Sequence, residues 1–517
     1  MDELGLQARF GRNTPSRDGG VALREHEPIG GVEQRSAILG IVAGASPGRV
    51  AYGLRGHRAR LGAPWERLFD GRPAIQYAGR SSSIVKRGKF VAVDFEIVDF
   101  FTDQSLVPDP YSYFEFLRSK GAVVPLPERG VVAVTGYEES LEVLRDPETY
   151  SSCNVVAGPI AGLPFQPEGD DVGALIEQNR YRMPMGDYLI TQDPPIHTAH
   201  RGLLMRLLTP KRMRGNEAFI WDLSGRQIDT FVEQGSFEVL KDYAHPFALL
   251  VIANLLGVPA EDHNSFRDEL LELQAQLSVG MGAQGRRDPL AFLNETFTAY
   301  VEDRRQRPRQ DVLTELATAT YPDGSIPEVD VIVRTATFLF AAGQDTTTRL
   351  LSSGLRVLAQ RPELQELLRG DRERIPTFIE EILRIESPVK SDFRLARRST
   401  TLAGVSIPAG TTVMILPGAA NRDPAVFELP DEVRMDRPNG QAHLSFGRGI
   451  HSCPGGPLSR LEVQVSFNRL LDRLDDIRIS PNHHGSAEDP RFEFEPTYIL
   501  RGLKALHLEF TPITSPK

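Results

Sequence analysis

Cysteine is nearly absent: Cys153 and Cys453 are the two in 517 residues. That excludes a disulfide scaffold and any cysteine-rich zinc or iron–sulfur site, and leaves two places for sulfur chemistry. No apolar run reaches the ~18–20 residues that cross a bilayer. The longest, Phe247 to Val258, is interrupted by Asn254 and reads as a buried helix. The opening Met1-Asp2-Glu3 lacks the basic-then-apolar layout of a secretory signal. A soluble, cytoplasmic protein without a membrane span is the expectation. An excess of positive charge is also missing: 59 Lys+Arg stand against 69 Asp+Glu, a net charge of −10. A surface built to grasp nucleic acid is thereby excluded. What is present is ordinary for a globular chain, 40% hydrophobic and 25% charged, which excludes wholesale disorder.

Charge is unevenly spread. Residues 1–90 hold 15 basic and 8 acidic groups, and the remaining 427 hold 44 and 61. The first segment is rich in Gly and Arg and poor in periodic apolar pattern. Its stretch GIVAGASPG, with Gly40, Gly44 and Gly48, lacks the Lys-Ser/Thr and the preceding strand of a phosphate-binding loop. Residues 1–92 are therefore read as a basic, disordered extension, and 93–517 as the folded domain, with the boundary near 90–95.

Beyond that boundary helices dominate and strands come in small patches. Asp109-Pro110 opens an amphipathic helix carrying Phe114, Phe116 and Leu117. VVPLPERGVVAV reads as a hairpin turning at Glu128-Arg129-Gly130. A short helix (Glu138–Leu144), a long loop (about 151–190) and a chain of helices follow, the loop being long enough to be functional or mobile. A helix opens near Val329 and runs past Leu351; another starts after Pro376. Residues 393–415 read as short strands, and a helix follows Cys453.

The segment HLSFGRGIHSCPGGPLSRLE concentrates the information. Phe446, Gly447, Gly449, His451, Cys453 and Gly455 fall within ten residues. The glycines let the backbone turn sharply and approach something flat and bulky. Leu458, Leu461, Val463 and Val465 then set up a helix, with Pro457 tolerated in its first turn. Cys453 therefore sits at a helix N-terminus, where the dipole favours thiolate over thiol. Such a sulfur suits a metal, a porphyrin iron, or nucleophilic work with His451 as base.

The segment resembles the haem-binding signature of the cytochromes P-450, Phe-Gly-x-Gly-x-His-x-Cys-x-Gly continued by x-x-Leu-x-Arg-x-Glu. Leu458, Arg460 and Glu462 complete it, and Ser459 stands where Ala is usual. The resemblance implies haem b with Cys453 as the thiolate ligand, seated against Phe446, Gly447 and Gly455. Thiolate ligation pushes electron density toward O–O cleavage.

Further segments resemble the same family in the same order. FLFAAGQDTTTRL (338–350) carries Gly343 and three consecutive threonines inside a helical pattern, which breaks local helix rules. It is similar to the family's distal helix. The resemblance implies that Gly343 makes room for dioxygen and that Asp345 and Thr346 deliver protons. Glu381 and Arg384 lie at i, i+3 on one helical face; with Arg437 they match the family's buried structural triad. ITQDPPIHTAHRGLLMRLLTP places His197 and Arg201 at i, i+4, and these resemble the propionate-binding pair, joined by Arg394 and His451. A zinc reading of His197 and His200 lacks a third ligand. Thr346 to Glu381 is 35 residues and Glu381 to Cys453 is 72. The likeness spans about residues 95–517.

The implied fold is mainly α (α+β), a triangular helical domain with small sheets around a buried haem. The implied reaction is that of a monooxygenase: one atom of O2 enters a lipophilic substrate (terpenoid, steroid, fatty acid or xenobiotic), the other leaves as water. By resemblance, Phe338, Ala342, Val389, Ile499 and Leu500 face the substrate, and Met183 and Met185 lie in a lid or in the core. With one cysteine to spare, electrons are expected from a separate ferredoxin and its NAD(P)H-linked reductase. Arg448 and Arg460 read either as part of a basic docking face or as solvated charges. A monomer is expected. Two other readings stay open: a peroxide-using or rearrangement-catalysing haem-thiolate enzyme, and a haem-thiolate sensor without turnover.

Overall fold

The computed structural model describes residues 83–84, 91–92, 94–266, 268 and 290–513. By packing, the chain divides into Met1–Gly71 and Arg72–Lys517. The first unit, the GIVAGASPG stretch and nearly all of the expected 1–92 extension lie outside the described residues.

The second unit is organised around one helix, Val329–Gln360, of 32 residues. Its apolar positions recur at helical spacing, and Ile332, Phe340, Leu351, Leu355 and Leu358 are fully buried. It packs against His245–Leu256, Ala291–Gln306 and Gly456–Arg473. Its approach to the last of these is close: a Cβ on Gly354 would lie 2.5 Å from the Phe467 ring. Pro457 occupies the first turn of Gly456–Arg473, as expected from its missing N–H.

His245–Leu256 is the apolar run noted in the sequence. Together with the π-helical turn before it, Val239–Leu256 has the length and mean hydropathy of a membrane-crossing segment. It is a core helix here, with Phe247, Val251, Ile252 and Leu256 buried. Asn254, the polar interruption, donates to Asn216 Oδ1 at 2.7 Å.

A five-stranded sheet runs in the order Val123–Leu126, Val131–Val134, Thr412–Ile415, Asp392–Ala396, Tyr150–Ser151. The first pair is the hairpin read from the sequence, turning through Pro127–Arg129 into Gly130. Val131–Val134 pairs in parallel with Thr412–Ile415, and Val413 opposes Arg394 on the next strand. A three-stranded sheet joins Leu474–Ile479, His507–Pro512 and Ser236–Glu238. The mainly helical α+β class inferred from the sequence is what the chain adopts.

The segment 151–190 differs from a plain loop. It contains the helix Gly173–Asn179 and is pinned by an Asp171–Arg398 bridge. Cys153, Val172, Ile176 and Met183 form a small apolar core with Leu395 and Ala409. Alternation and helical period are too brief there to be read from the sequence, and tertiary packing decides. Met183 is therefore core filling; Met185 packs against the main core.

Candidate functional site

The cysteine loop is held by its own backbone. Gly447 N–H donates to Leu444 O and Cys453 N–H to Phe446 O, both at 2.8 Å. Gly449 adopts φ +71°, and a Cβ there would lie 2.2 Å from the Leu144 carbonyl oxygen, so the loop presses against the end of the helix Tyr137–Arg145 where only glycine fits. Phe446 is fixed by Arg460, whose guanidinium lies 4.5 Å from the ring centroid. Arg460 in turn binds Glu380 through two hydrogen bonds of 2.6 and 3.0 Å, and His443 Nε2 donates to the same carboxylate at 3.1 Å. Burial opposes ionisation of Glu380, but His443 and Arg460 hold its carboxyl down to about 2. Arg448 spends its donors on the carbonyls of Gly447, Gln441 and Ala442. Both arginines considered for docking are thus engaged within the protein. The Glu380–Arg460 tie was missed because 80 residues separate its partners.

Cys453 is open to solvent at its surface yet set deep among protein atoms, with the unexposed Gly455 and Gly456 behind it. Their backbone N–H groups face its sulfur and favour the thiolate, as do Arg201 and Arg460, yet burial outweighs them and raises the thiol above its ordinary value. The helix-terminus argument therefore does not by itself yield a thiolate. A cation against the sulfur is what would hold it ionised.

The long helix presents Ala342 as an exposed residue between buried Phe340 and Gln344. Thr346 donates its hydroxyl to the Ala342 carbonyl at 3.1 Å, the helix-bending back-bond expected of mid-helix threonine. A Cβ on Gly343 would meet Ile252 at 3.6 Å, an ordinary contact, so the protein neighbours do not demand glycine there. Asp345 accepts from Arg349 Nε at 2.9 Å, and Arg349 also binds Glu495 at 2.5 Å. Arg349 was not singled out in the sequence, although its i, i+4 spacing from Asp345 is the available signal. Phe338 is half-buried, 6.2 Å from the Tyr188 ring centroid. Val389 and Leu500 form an isolated antiparallel bridge, with Ile499 beside them; all three are partly exposed.

A cationic corner adjoins the cysteine loop. His197 and His451 rings lie 4.1 Å apart. Arg201 donates to the Ser452 carbonyl at 2.6 Å, and Arg394 donates to Asp392 Oδ1 at 2.9 Å. Both ring nitrogens of His197 and Nε2 of His451 are buried without a hydrogen-bond partner. Burial, then Arg201, hold His197 down to about 4; burial, then Arg394, hold His451 down to about 2. Arg201 and Arg394 have acceptors within the protein, but three ring nitrogens beside them have none. His200 instead bonds Gln192 at 2.8 Å, and no cluster of three metal-ligating side chains exists among the described residues.

The third group is closed. Glu381 accepts from Arg384 Nε and Nη2 at 2.9 and 3.0 Å, from Arg437 Nε at 3.0 Å and from the Arg434 amide at 3.0 Å. Arg384 spends its other donors on the carbonyls of Asn421, Pro430 and Glu432.

The chain is similar to known proteins in sequence and in backbone. The sequence model of the family described as "Cytochrome P450" matches residues 284–489. The chain is 34% identical to "Cytochrome P450 144" of Mycobacterium tuberculosis, over 72% of this chain and 84% of that one. It is 30% identical to the "Steroid C26-monooxygenase" of Mycolicibacterium smegmatis, over 74% and 88%. Among solved structures, substrate-free CYP150A6 of Mycobacterium marinum superimposes with a TM-score of 0.76 at 55% identity, covering 81% of this chain and all of that one. Likeness of this extent, in sequence and backbone together, makes the chain a member of the cytochrome P450 family.

Proposed function

We propose that this cytochrome P450 monooxygenase hydroxylates or epoxidises a lipophilic small molecule, with Cys453 as the thiolate ligand of its haem. The observation that carries the reading is the open cationic corner: buried His197 and Arg394 and part-buried Arg201 and His451 gather beside the exposed cysteine, with three ring nitrogens unpartnered. A porphyrin brings what this set lacks, two carboxylates for the donors and a metal for the sulfur. Cys153, buried in an apolar core, is no rival ligand.

Haem supplies the activation of O2. The chain's own residues do the rest. Gly455 and Gly456 amides point at the sulfur and disperse its negative charge. Arg201, Arg394, His197 and His451 orient the macrocycle through its propionates. Thr346, whose hydroxyl donates to Ala342, keeps its lone pairs free to accept a hydrogen bond, and Asp345, steadied by Arg349, exchanges protons with water. Phe338, Ala342, Val389, Ile499 and Leu500 offer apolar surface to the substrate. An acid–alcohol pair favours reductive O2 activation over direct use of peroxide, which arrives with its protons. The two electrons come from a ferredoxin and its NAD(P)H-linked reductase in the cytoplasm, to a monomeric enzyme.

Turnover in isotopically labelled dioxygen with a surrogate ferredoxin system tests the reading. One labelled atom per product and one in water is the expected result. Product label drawn from water, or peroxide driving turnover at the reductase-supported rate, would overturn it.

A further inference from the structure

Arg349 is shared by two acids from distant parts of the chain. Its side chain is 7% exposed, against 23% for Asp345 and 27% for Glu495. Its Nε donates to Asp345 Oδ2 at 2.9 Å, one turn back along the long helix. Its Nη2 donates to Glu495 Oε2 at 2.5 Å, 146 residues further on. A guanidinium this far from water is costly without an acid. Loss of one carboxylate leaves the other in place, and loss of both leaves a buried cation alone.

Glu495 belongs to a pair of antiparallel segments. Its N–H donates to Gly502 O at 3.0 Å, beside the Phe494–Leu503 bridge. Directly opposed residues of such a pair present to one side, so Glu495 and Gly502 both face Arg349. The fit is close: a Cβ on Gly502 would lie 2.1 Å from Arg349 Nη1 and 3.0 Å from its Cγ. The guanidinium, held by two carboxylates, has no room to yield. One segment thus grips Arg349 with a carboxylate while the other closes over it.

The same side of the pair reaches the apolar surface assigned above to the substrate. Arg501 leaves its segment in the opposite direction, to bind Glu386 at 3.3 Å. Leu500 and Gly502, which flank it, share the other side by alternation. Leu500 also forms the bridge with Val389. A path therefore runs from Leu500 through Gly502 and Glu495 to Arg349, and from Arg349 to the acid next to Thr346.

We propose that Glu495 is a positioning residue for proton delivery: through Arg349 it ties the segment that meets the substrate to Asp345, so that substrate seated against Leu500 fixes the carboxylate that serves Thr346. The inference rests on the monooxygenase reading and adds to it a link from substrate to acid.

Two measurements on the full-length holoenzyme test it. The first is a double-mutant cycle in thermal unfolding with Asp345→Asn and Glu495→Gln. Either acid alone satisfies Arg349, so the double variant should lose more in melting temperature than the two single losses added, by about 2 °C or more. Additive losses would overturn the link. The second is turnover of testosterone with the surrogate ferredoxin system. Glu495→Gln should keep testosterone affinity, read from the spin-state shift, within about 2-fold of wild type. It should lower product per NAD(P)H by about 10-fold or more, the scale of a displaced reacting group. Glu495→Asp, which keeps the charge, should recover part of that loss. Unchanged product per NAD(P)H in Glu495→Gln, or affinity and product falling together, would overturn the positioning role. The cycle needs no substrate, and the reduced, CO-bound spectrum reports haem-thiolate ligation separately, so failure of the link and failure of the underlying reading are told apart.

Discussion

Glu381–Arg384–Arg437 and His197–Arg201–Arg394–His451 are two clusters of charged and polar side chains taken out of water by the same fold, and they differ in one respect. In the first, the Glu381 carboxylate receives four donors and Arg384 places its remaining N–H groups on backbone carbonyls. In the second, three ring nitrogens have no partner and both histidines are held neutral. A closed cluster belongs to the fold. An open one belongs to something the fold receives. Substitution should therefore damage the first through stability and the second through cofactor retention.

The largest effect falls on the closed cluster. Glu381→Gln leaves two buried guanidiniums short of their acid and should cost about 3–5 kcal/mol, the penalty for breaking a buried pair, read in urea unfolding of the apoprotein. A loss below about 1 kcal/mol would erase the distinction drawn above. Thr346 is the control that touches neither cluster, because its hydroxyl bonds within its own helix. Thr346→Ala should lower product formed per NAD(P)H consumed by about 10²-fold, the scale of a lost acid–base group, with the melting temperature unchanged. Arg201→Ala should weaken haem retention about 10-fold or more, measured by transfer to apomyoglobin, with little change in apoprotein stability. The smallest effect is in pH. The folded apoprotein holds His197 at about 4 against an unfolded value of 6.5. The unfolded chain then takes up the proton first, so this contribution is full above pH 6.5 and is lost as pH falls toward 4. Haem should diminish that acid sensitivity, because an anion beside His197 favours its protonated form. Equal acid profiles with and without haem would contradict the open character of the corner.

The sequence made the helical class, the hairpin at Gly130, the long helix and the cysteine loop legible, each through a local signal: apolar period, turn residues, or glycines in close series. The Glu381–Arg384 pair was visible as an i, i+3 spacing, and Arg349 was within reach of the same rule. Glu380–Arg460 and Arg349–Glu495 were not legible, since they join residues 80 and 146 apart. The balance of forces on Cys453 was also hidden. A helix terminus is local and readable, but the burial that outweighs it comes from the whole fold.

The most direct test of the account is the absorption spectrum of the reduced, CO-bound protein in wild-type and Cys453→Ala forms. The account predicts a strongly red-shifted Soret band in the wild type, the mark of thiolate ligation, and its loss in Cys453→Ala. An unshifted band in the wild type, or a red-shifted band that survives the substitution, would contradict it.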